Sequence, residues 1–457
     1  MANFTNFPAA LAAELQTGFL EREFEEGLDS ILAYRREALI ETVPARIGET
    51  ITRTRTGRLP PITAAMNPAT NSGLDNGLTP ADANLEQYQL VMSEYAHATD
   101  INLMDDMAAI ANNLVRGARN NGVQAAQSLE RLARMAYFGA YLGGNTRVRT
   151  DLGASTTTTC HVDDIRGFAT VLVNGVPTSV SGSNTLTVQE TAIASGGVTQ
   201  ALTVTGSTAD VTNESSVPDG ISGTLTFSTA TAPVNGDALV AVNAPKVLRP
   251  FSKQTTAQLT GSDVMTLGLI EDAVALMRDN AVPPMPGGGY HCVLDNTSLR
   301  QLWADQDFKV LFAGRDQSEV WRDGDLTTQM LGVRFIPTTE TYVQNSGSGG
   351  TGFAAINTRV RRPMLIGAES LIQGNFEGLE MWLERQGVNA LGDVSLINGV
   401  AHIIRPPLDR LQQFASLAWM WIGGFAVPTD ATATTSIIPT ATPNALYRRC
   451  CVIEHAG

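Results

Sequence analysis

Four potential metal ligands stand close together in the sequence, at Cys160, His161, Asp163 and Asp164. Thiolate, imidazole and carboxylate groups all bind zinc, but structural zinc sites pair two such clusters at a fixed spacing. The sequence contains no second cluster of that kind. We therefore interpret these residues as a polar junction between two parts of the chain and predict no metal site.

His291 and Cys292 are the residue types of a nucleophile and its base, and they lie in the apolar run YHCVLD. Such a run is typical of a buried strand, on which neighbouring side chains face opposite sides, so the imidazole cannot activate the thiol. No GxSxG, HExxH, Walker or dinucleotide-binding pattern occurs in its expected context. The sequence therefore predicts no enzyme, no catalytic residue and no cofactor.

Arginines form the third chemically distinctive group. Arg53 and Arg55 alternate with threonines in the run TITRTRT, and Arg58 follows. Threonine alternating with charge leaves no apolar face to bury, which is typical of an exposed hairpin or extended loop. We predict that this segment finds its partner outside its own domain, with a returning strand in residues 84–95.

The charge of the chain limits its partners. Its 457 residues include 31 basic and 45 acidic side chains, for a formal net charge of −14. Proteins that grip nucleic acid neutralise phosphates with clustered lysine and arginine, so the balance argues against that task. The sequence also shows no signal-peptide pattern, no apolar run long enough to cross a bilayer and no disulfide framework. These features predict a folded protein made inside the cell.

The elements that position these residues begin with an amphipathic helical arm over residues 11–39. Leu20, Phe24 and Leu28 recur every four residues among charged side chains. Farther along, Thr99 or Asp100 is expected to cap a helix, which glycines interrupt at 117 and 122. A second helix is expected from about 124 to 142.

A separate module follows, because no lysine or arginine occurs between Arg166 and Lys246. Short alternating apolar runs there are separated by Asn-Gly turns at 174–175 and 235–236, a strong hairpin signal. We predict an inserted β-sandwich or barrel over about 155–245.

The remaining pattern predicts an α+β domain followed by strands. Ser262 can cap a helix, YHCVLD and MLGVRFIP read as strands, and DNTSLRQLW reads as a capped helix between them. Strand-like runs then fill much of residues 399–457.

This order of elements resembles the major capsid proteins of tailed bacteriophages, with the Hong Kong-97 type fold. LQTGFLEREFEEGL is similar to their N-terminal arm, PARIGETITRTRTGRLPPIT to the E-loop, QSLERLARMAYFGAYLGG to the spine helix of the P domain, and EVWRDGDLTTQMLGVRFIPTTE to the A domain. The resemblance implies an α+β chain divided into an N-terminal arm (1–48), an E-loop (49–95), a P domain with the spine helix (96–154), an inserted all-β domain (155–248), an A domain (249–398) and C-terminal P-domain strands (399–457).

The resemblance also implies a function. Copies of the chain would assemble through hexamers and pentamers into an icosahedral head shell, enclosing double-stranded DNA without sequence-specific binding. Such a protein is made in the host bacterial cytoplasm and ends in the virion. A separate scaffolding protein, a portal and a decoration protein are the further partners it suggests. Contacts between subunits are then expected at Arg53, Arg55, Arg58, Phe19 and Phe24.

Two other function classes stay open at this point. The threonine- and serine-rich module suggests a secreted β-rich surface or adhesin protein, although no signal peptide accompanies it. A hydrolase with a carbohydrate-binding insert would require a deep pocket in which two carboxylates face each other.

Overall fold

The computed structural model of the chain contains both helices and strands. It describes residues 19–29, 33–44, 50–56, 85–102, 113–150, 153, 158–174, 176–192, 198–217, 219–230, 233–242, 244–254, 256–313, 331–344, 359–378, 393–405, 407, 410–411, 413–428 and 449–457. Within these ranges the α-helices are α1 (Phe19–Asp29), α2 (Asn113–Tyr141), α3 (Leu267–Asp279), α4 (Asn296–Ala304) and α5 (Gln306–Ala313).

The strands of the first 150 residues are β1 (Leu39–Val43), β2 (Thr50–Thr56), β3 (Leu85–Val91), β4 (Ser93–Asn102) and β5 (Asn145–Arg147). The central strands are β6 (Thr159–Val162), β7 (Thr170–Val173), β8 (Val176–Ser179), β9 (Leu186–Ala192), β10 (Val198–Ala209), β11 (Gly223–Phe227) and β12 (Ala238–Ala241). The later strands are β13 (Tyr290–Leu294), β14 (Val333–Pro337), β15 (Val343–Gln344), β16 (Val360–Arg361), β17 (Met364–Ile366), β18 (Ile372–Phe376), β19 (Asp393–Ile397), β20 (Val400–Arg405), β21 (Phe414–Ala426), β22 (Cys450–Val452) and β23 (His455–Ala456).

The chain forms two compact units, each assembled from three segments. The first unit contains Met1–Thr52, Gln89–Ala136 and Leu371–Ala426, and the second contains Arg53–Tyr88, Tyr137–Ser370 and Val427–Gly457. Neither unit is continuous in sequence, so each depends on pairing between distant parts of the chain.

The first unit is built on a six-stranded sheet. Its strands run in the order β1-β18-β21-β20-β19, and β4 also pairs with β21 along residues 414–423. β1 and β18 are parallel, whereas the other pairs are antiparallel. Helices α1 and α2 cover one face of the sheet, where an aliphatic and aromatic core forms from Phe24, Leu28, Ala125, Ala126, Leu129, Val400, Trp419 and Trp421.

The second unit contains the predicted β module. Its six-stranded sheet has the order β5-β12-β9-β10-β11-β6 with antiparallel pairs, around a core that includes Val162, Val188, Val204, Leu225 and Leu239. β7 and β8 form a separate hairpin whose turn holds Asn174 at φ 50°. Asparagine tolerates this left-handed conformation, which is why its turn signal was readable.

The second unit also contains the predicted α+β part. A four-stranded sheet of order β14-β13-β17-β22 packs against helix α3, with Ile270, Val274, Met277, Cys292 and Phe335 in the core. The predicted strands at 290–294 and 333–337 are confirmed, and so is the helix that follows Asp295. The Asp295 carboxylate accepts a hydrogen bond from Thr297 N at 3.0 Å, which caps that helix.

Several helix boundaries differ from the sequence-based predictions. The arm helix ends at Asp29, and residues 39–43 of the expected arm are strand β1. Thr99 and Asp100 cap no helix, because both lie within β4, which pairs with β21. Helix α2 continues through Gly117 and Gly122 without interruption, and α3 begins after Thr266 rather than at Ser262.

The division into domains also differs. The β module's sheet includes β5 and so begins before residue 155. Strands β18 and β19 were grouped with residues 249–398 but join the sheet of the first unit. Residues 399–457 are likewise split, because β20 and β21 lie in the first unit whereas β22 pairs with β17 in the second. Strand runs show that pairing occurs but do not identify the partner.

Candidate assembly surface

Helix α1 turns the predicted apolar stripe inward. Leu20 is 3% exposed, and Phe24 and Leu28 are 0% exposed, in contact with residues of α2 and β21. Phe19, at the start of the helix, is 43% exposed and is available to a neighbour. The prediction that Phe24 contacts another subunit is wrong, because its ring lies wholly in this chain's core.

Phe24 also meets an unusual histidine. The ring of His402, on β20, stacks on Phe24 with 4.4 Å between centroids and an angle of 22°. His402 is 0% exposed, and neither ring nitrogen has a hydrogen-bond partner among the described residues. Burial lowers the pKa of His402 to about 4, so the ring is neutral at pH 7.

A buried carboxylate holds the chain just after the helical arm. Glu130, on α2, accepts backbone hydrogen bonds from Ala33 N at 3.0 Å, Tyr34 N at 2.7 Å and Arg35 N at 3.0 Å. The Arg35 side chain donates to Gln373 Oε1 at 3.1 Å. Burial lowers the pKa of Arg35 to about 10, although nearby carboxylates oppose this shift. These bonds fix the start of β1 within the first unit.

The predicted arginine loop is described only at its base. β2 and β3 pair as a two-stranded sheet, so the outgoing and returning strands were correctly predicted. Arg53 is half-buried in β2, and Arg55 lies in the same strand. Arg58 lies outside the described residues. The expectation that these three arginines contact another subunit stays a prediction.

The candidate metal ligands belong instead to ion pairs and hydrogen bonds. Asp163 lies 3.0 Å from Arg149 Nη1 and 3.4 Å from Arg147 Nε, and Asp164 lies 2.7 Å from Arg166 Nη2. His161 Nδ1 is 3.1 Å from Thr224 Oγ1. Among the described residues, no three His, Cys, Asp or Glu side chains are grouped to hold a metal ion.

An Asp, Ser and His cluster superficially resembles a hydrolytic triad. Ser298 Oγ lies 2.8 Å from His455 Nε2, but Asp295 bonds Ser298 and Arg361 rather than the histidine. His455 Nδ1 faces the carbonyl of Ala456 at 2.9 Å. A triad needs the carboxylate on Nδ1 and an exposed serine, whereas Ser298 is 0% exposed. This arrangement is structural.

The cysteines are equally unsuited to chemistry. Cys160, Cys292, Cys450 and Cys451 are all buried, and none of them forms a disulfide. Burial, with a smaller contribution from Cys451, raises the pKa of Cys292 to about 12, which suppresses the reactive thiolate. The interpretation of Cys292 as a core thiol is therefore confirmed by its burial.

A recess of about 600 Å³ lies in the second unit. Its walls combine aliphatic side chains with Lys246, Lys253, Asp272 and Asp279. The two carboxylates lie two turns apart on α3, about 10 Å along one helix axis, and do not face each other across the recess. Among the described residues that line it, the recess therefore offers no paired acid and base of a glycosidase.

A buried charged cluster around Glu454 has no local signal in the sequence. Glu454, 0% exposed, lies 2.6 Å from Arg249 Nε and 2.7 Å from Arg362 Nε. Burial alone would raise the pKa of Glu454, but the two guanidinium charges and their hydrogen bonds outweigh burial and lower it to about 2. The three residues are far apart in sequence, so no local spacing marks them.

No protein-family model and no curated protein sequence matches the chain. Solved structures are similar to it. The capsid of Ralstonia phage GP4 has a TM-score of 0.50 and 11% identity, covering 93% of this chain and 89% of its own. The capsid of Cyanophage P-SCSP1u has a TM-score of 0.46 and 10% identity, covering 93% and 88%. The Cyanophage Pam1 capsid has a TM-score of 0.44 and 11% identity, covering 90% and 87%.

The chain has the fold of a phage capsid protein. Of these three likenesses, the first alone reaches a TM-score of 0.50, and at 11% identity it establishes the fold and nothing finer. It extends over nearly all of both chains, so the shared fold includes both units. The expected α+β capsid fold is thereby confirmed. In the described ranges, no helix is long and apolar enough to span a membrane.

Proposed function

We propose that this protein is the major capsid protein of a tailed bacteriophage, assembling into the icosahedral shell of the head. The observation that carries the proposal is the fold shared with the Ralstonia phage GP4 capsid over 93% of this chain. A shell protein has a structural role, so we propose no enzymatic activity for this chain. The adhesin and hydrolase alternatives have no comparable support.

The partners follow from that role. Copies of the chain would form hexamers and pentamers, with a scaffolding protein, a portal and a decoration protein as separate partners. A formal net charge of −14 favours a shell that encloses double-stranded DNA without adhering to it. The protein would be made in the host bacterial cytoplasm and end in the virion.

The domain names are part of the same proposal. The first unit, with its sheet and the long helix α2, corresponds to a P domain, and the α+β part of the second unit to an A domain. Residues 155–248 would be the inserted module, extended by β5. The N-terminal arm and the E-loop would complete the subunit, with Phe19 at a contact between copies.

Electron microscopy of the purified protein, with and without a candidate scaffolding protein, tests this proposal. Closed shells of uniform diameter are the expected result. Sedimentation that shows only monomers or dimers at every protein concentration, with the scaffolding protein present, would contradict it.

The arginine loop is proposed as a contact between subunits. Guanidinium groups of Arg53, Arg55 and Arg58 would bind carboxylates of a neighbouring acidic copy. Removing one partner of a buried charged contact costs about 2–5 kcal/mol, and the loss repeats at every interface. Replacing all three by Glu should abolish shells and leave subunit melting nearly unchanged. Normal shells from this variant, or a subunit that fails to fold, would contradict the assignment.

A further inference from the structure

The turn at residues 249–254 holds an aromatic side chain in solvent on an unfavourable backbone. Phe251 is 85% exposed, with φ 56° and ψ 29°. Ser252 follows at φ 55°. Left-handed backbone suits glycine, and for a bulky side chain it is a genuine outlier. Two successive residues therefore adopt unfavourable backbone conformations, and burial of the Phe251 ring does not compensate for this cost.

Arg249 holds the turn at both ends. Its Nη1 donates to the carbonyl of Gln254 at 2.8 Å, and its own carbonyl accepts from Ser252 N at 3.2 Å. Lys253 N donates to the carbonyl of Pro250 at 3.3 Å, and the Lys253 ammonium pairs with the buried carboxylate of Asp263. The turn is thus closed by side chains on either side of the ring.

The buried cluster around Glu454 fixes Arg249 in turn. Glu454 accepts from Arg249 Nε at 2.6 Å, from Arg362 Nε at 2.7 Å and from Thr256 Oγ1 at 3.0 Å. Glu454 N donates to the carbonyl of Leu248 at 2.8 Å, just before the turn. A strained backbone conformation persists where many surrounding contacts hold it in place, and such strain is concentrated at functional sites. The ion pairs and hydrogen bonds of this cluster hold the turn in its strained conformation.

The turn stands at the rim of the recess of about 600 Å³ described above. Ser252, Lys253 and Gln254 line the recess, together with Leu269 and Leu276 of helix α3. Lys253 belongs to the turn, whereas Asp272 and Asp279 lie on α3. One face of the chain therefore carries a projecting aromatic ring, a recess lined by both apolar and polar side chains, and charges of both signs.

We propose that Phe251 is an assembly contact, inserting its ring into this recess on a second copy of the chain. The inference rests on the proposed function, because a shell of one protein needs a face that fits another copy of itself. With the ring seated, the exposed Lys246 beside the recess of one copy can approach Asp272 and Asp279 of the other. Aromatic anchors that fill pockets contribute strongly to interfaces, and strain held in the free subunit keeps the ring ready for binding.

Glycine substitutions distinguish the effect of the Phe251 ring on assembly from the effect of the strained backbone. Phe251→Gly removes the ring and relieves the left-handed backbone, so the subunit should melt at the same or a higher temperature. The protein concentration needed for shell formation should rise at least tenfold. Asn174→Gly is the matched control, since it relieves left-handed backbone (φ 50°) at an exposed residue that does not line the recess, and it keeps the ring. Its subunits should melt like those of Phe251→Gly and assemble like the wild type.

A second variant tests the proposal by filling the recess. Ala275 is an exposed residue of α3 that lines the recess. Ala275→Trp should leave subunit melting unchanged and raise the assembly concentration at least tenfold. Combined with Phe251→Gly, it should add little, because both variants remove the same contact.

Assembly concentration is measured by light scattering and electron microscopy, and melting by circular dichroism of dispersed subunits. Shells at the wild-type concentration from either Phe251→Gly or Ala275→Trp overturn this inference and leave the proposed function intact. A wild-type protein that forms no shells overturns the proposed function itself, and this inference with it. Fewer shells from Phe251→Gly together with a lowered melting temperature also overturns the inference, since the ring would then support the fold.

Discussion

Helix α1 and the turn at 249–254 each carry a phenylalanine whose burial can be compared. The two rings differ completely in exposure to solvent. Phe24 is 0% exposed and Phe251 is 85% exposed. The periodic stripe that contains Phe24 marks the face that the chain buries against itself. Phe251 belongs to no periodic pattern, and a buried charge cluster holds it outward. Periodicity therefore identifies intramolecular packing here, whereas the proposed contact at Phe251 has no periodic signal in the sequence.

The largest expected effect comes from the cluster that holds the turn. Glu454→Gln leaves Arg249 and Arg362 buried without their countercharge, so we expect a loss of about 3–5 kcal/mol in the free energy of unfolding. Glu369→Gln is the matched control, because Glu369 pairs with Arg449 while its side chain is 58% exposed. Because the Glu369 carboxylate is largely in solvent although Arg449 is buried, this pair should contribute at most about 1 kcal/mol. Urea unfolding of both variants measures the difference, and equal losses would contradict the role of burial.

Removing the two phenyl rings tests the comparison directly. Phe24→Ala leaves a cavity in the core of the first unit and should cost about 3–5 kcal/mol. Phe251→Ala removes a solvent-exposed ring, so its effect should lie within about 0.5 kcal/mol. Thermal or urea unfolding of the dispersed subunits is the measurement. A large loss from Phe251→Ala would show that its ring packs within the chain after all.

His402 makes the stability of the first unit depend on pH. Its pKa is lowered to about 4 by burial, so between pH 6.5 and 4 the unfolded chain binds a proton that the folded chain does not. Stability from this group is fully present above pH 6.5 and falls by about 3 kcal/mol as pH drops to 4. Its sheet neighbours Ser395 and Trp419, like the stacked Phe24, carry no charge to offset this.

His402→Phe keeps an aromatic ring and removes the titration. Unfolding of this variant should lack the additional loss between pH 6.5 and 4, whereas losses from protonating carboxylates should persist. Glu454 titrates in a different range, because its pKa is lowered to about 2. Parallel pH profiles for the variant and the wild type would rule out His402 as the source.

Elements with a local signal could be predicted from the sequence. The alternating strands of the β module, the β13 strand and the helix capped by Asp295 all follow from neighbouring residues. Elements that depend on contacts with distant parts of the chain could not be predicted in this way. Residues 99 and 100 look like a cap, yet β4 pairs with β21 more than 300 positions later, as Thr99 opposite Leu417 shows. A Phe-Ser pair likewise gives no indication of left-handed backbone.

The same limit explains Gly122, one of the two glycines that were expected to interrupt a helix and that lie within α2 instead. A Cβ built at Gly27 would lie 2.5 Å from the carbonyl oxygen of Arg119, and one built at Gly122 would clash with the carbonyl of Phe24. Helices α1 and α2 therefore touch backbone to backbone at these positions. Glycine weakens a helix when considered alone, but here it permits the contact that buries Phe24.

Two glycine substitutions in helix α2 should have modest effects of opposite sign. Gly122→Ala forces α1 away from α2 and should cost about 1–3 kcal/mol, despite the better helix propensity of alanine. Gly139→Ala, in the same helix, meets no atom within 4 Å of the new methyl group. It should therefore gain about 0.5–1 kcal/mol from propensity alone. Urea unfolding of both variants is sensitive enough to resolve the two signs. If Gly122→Ala were also stabilising, the close approach of α1 to α2 would not be what selects glycine there, and the packing of Phe24 would need no glycine contact.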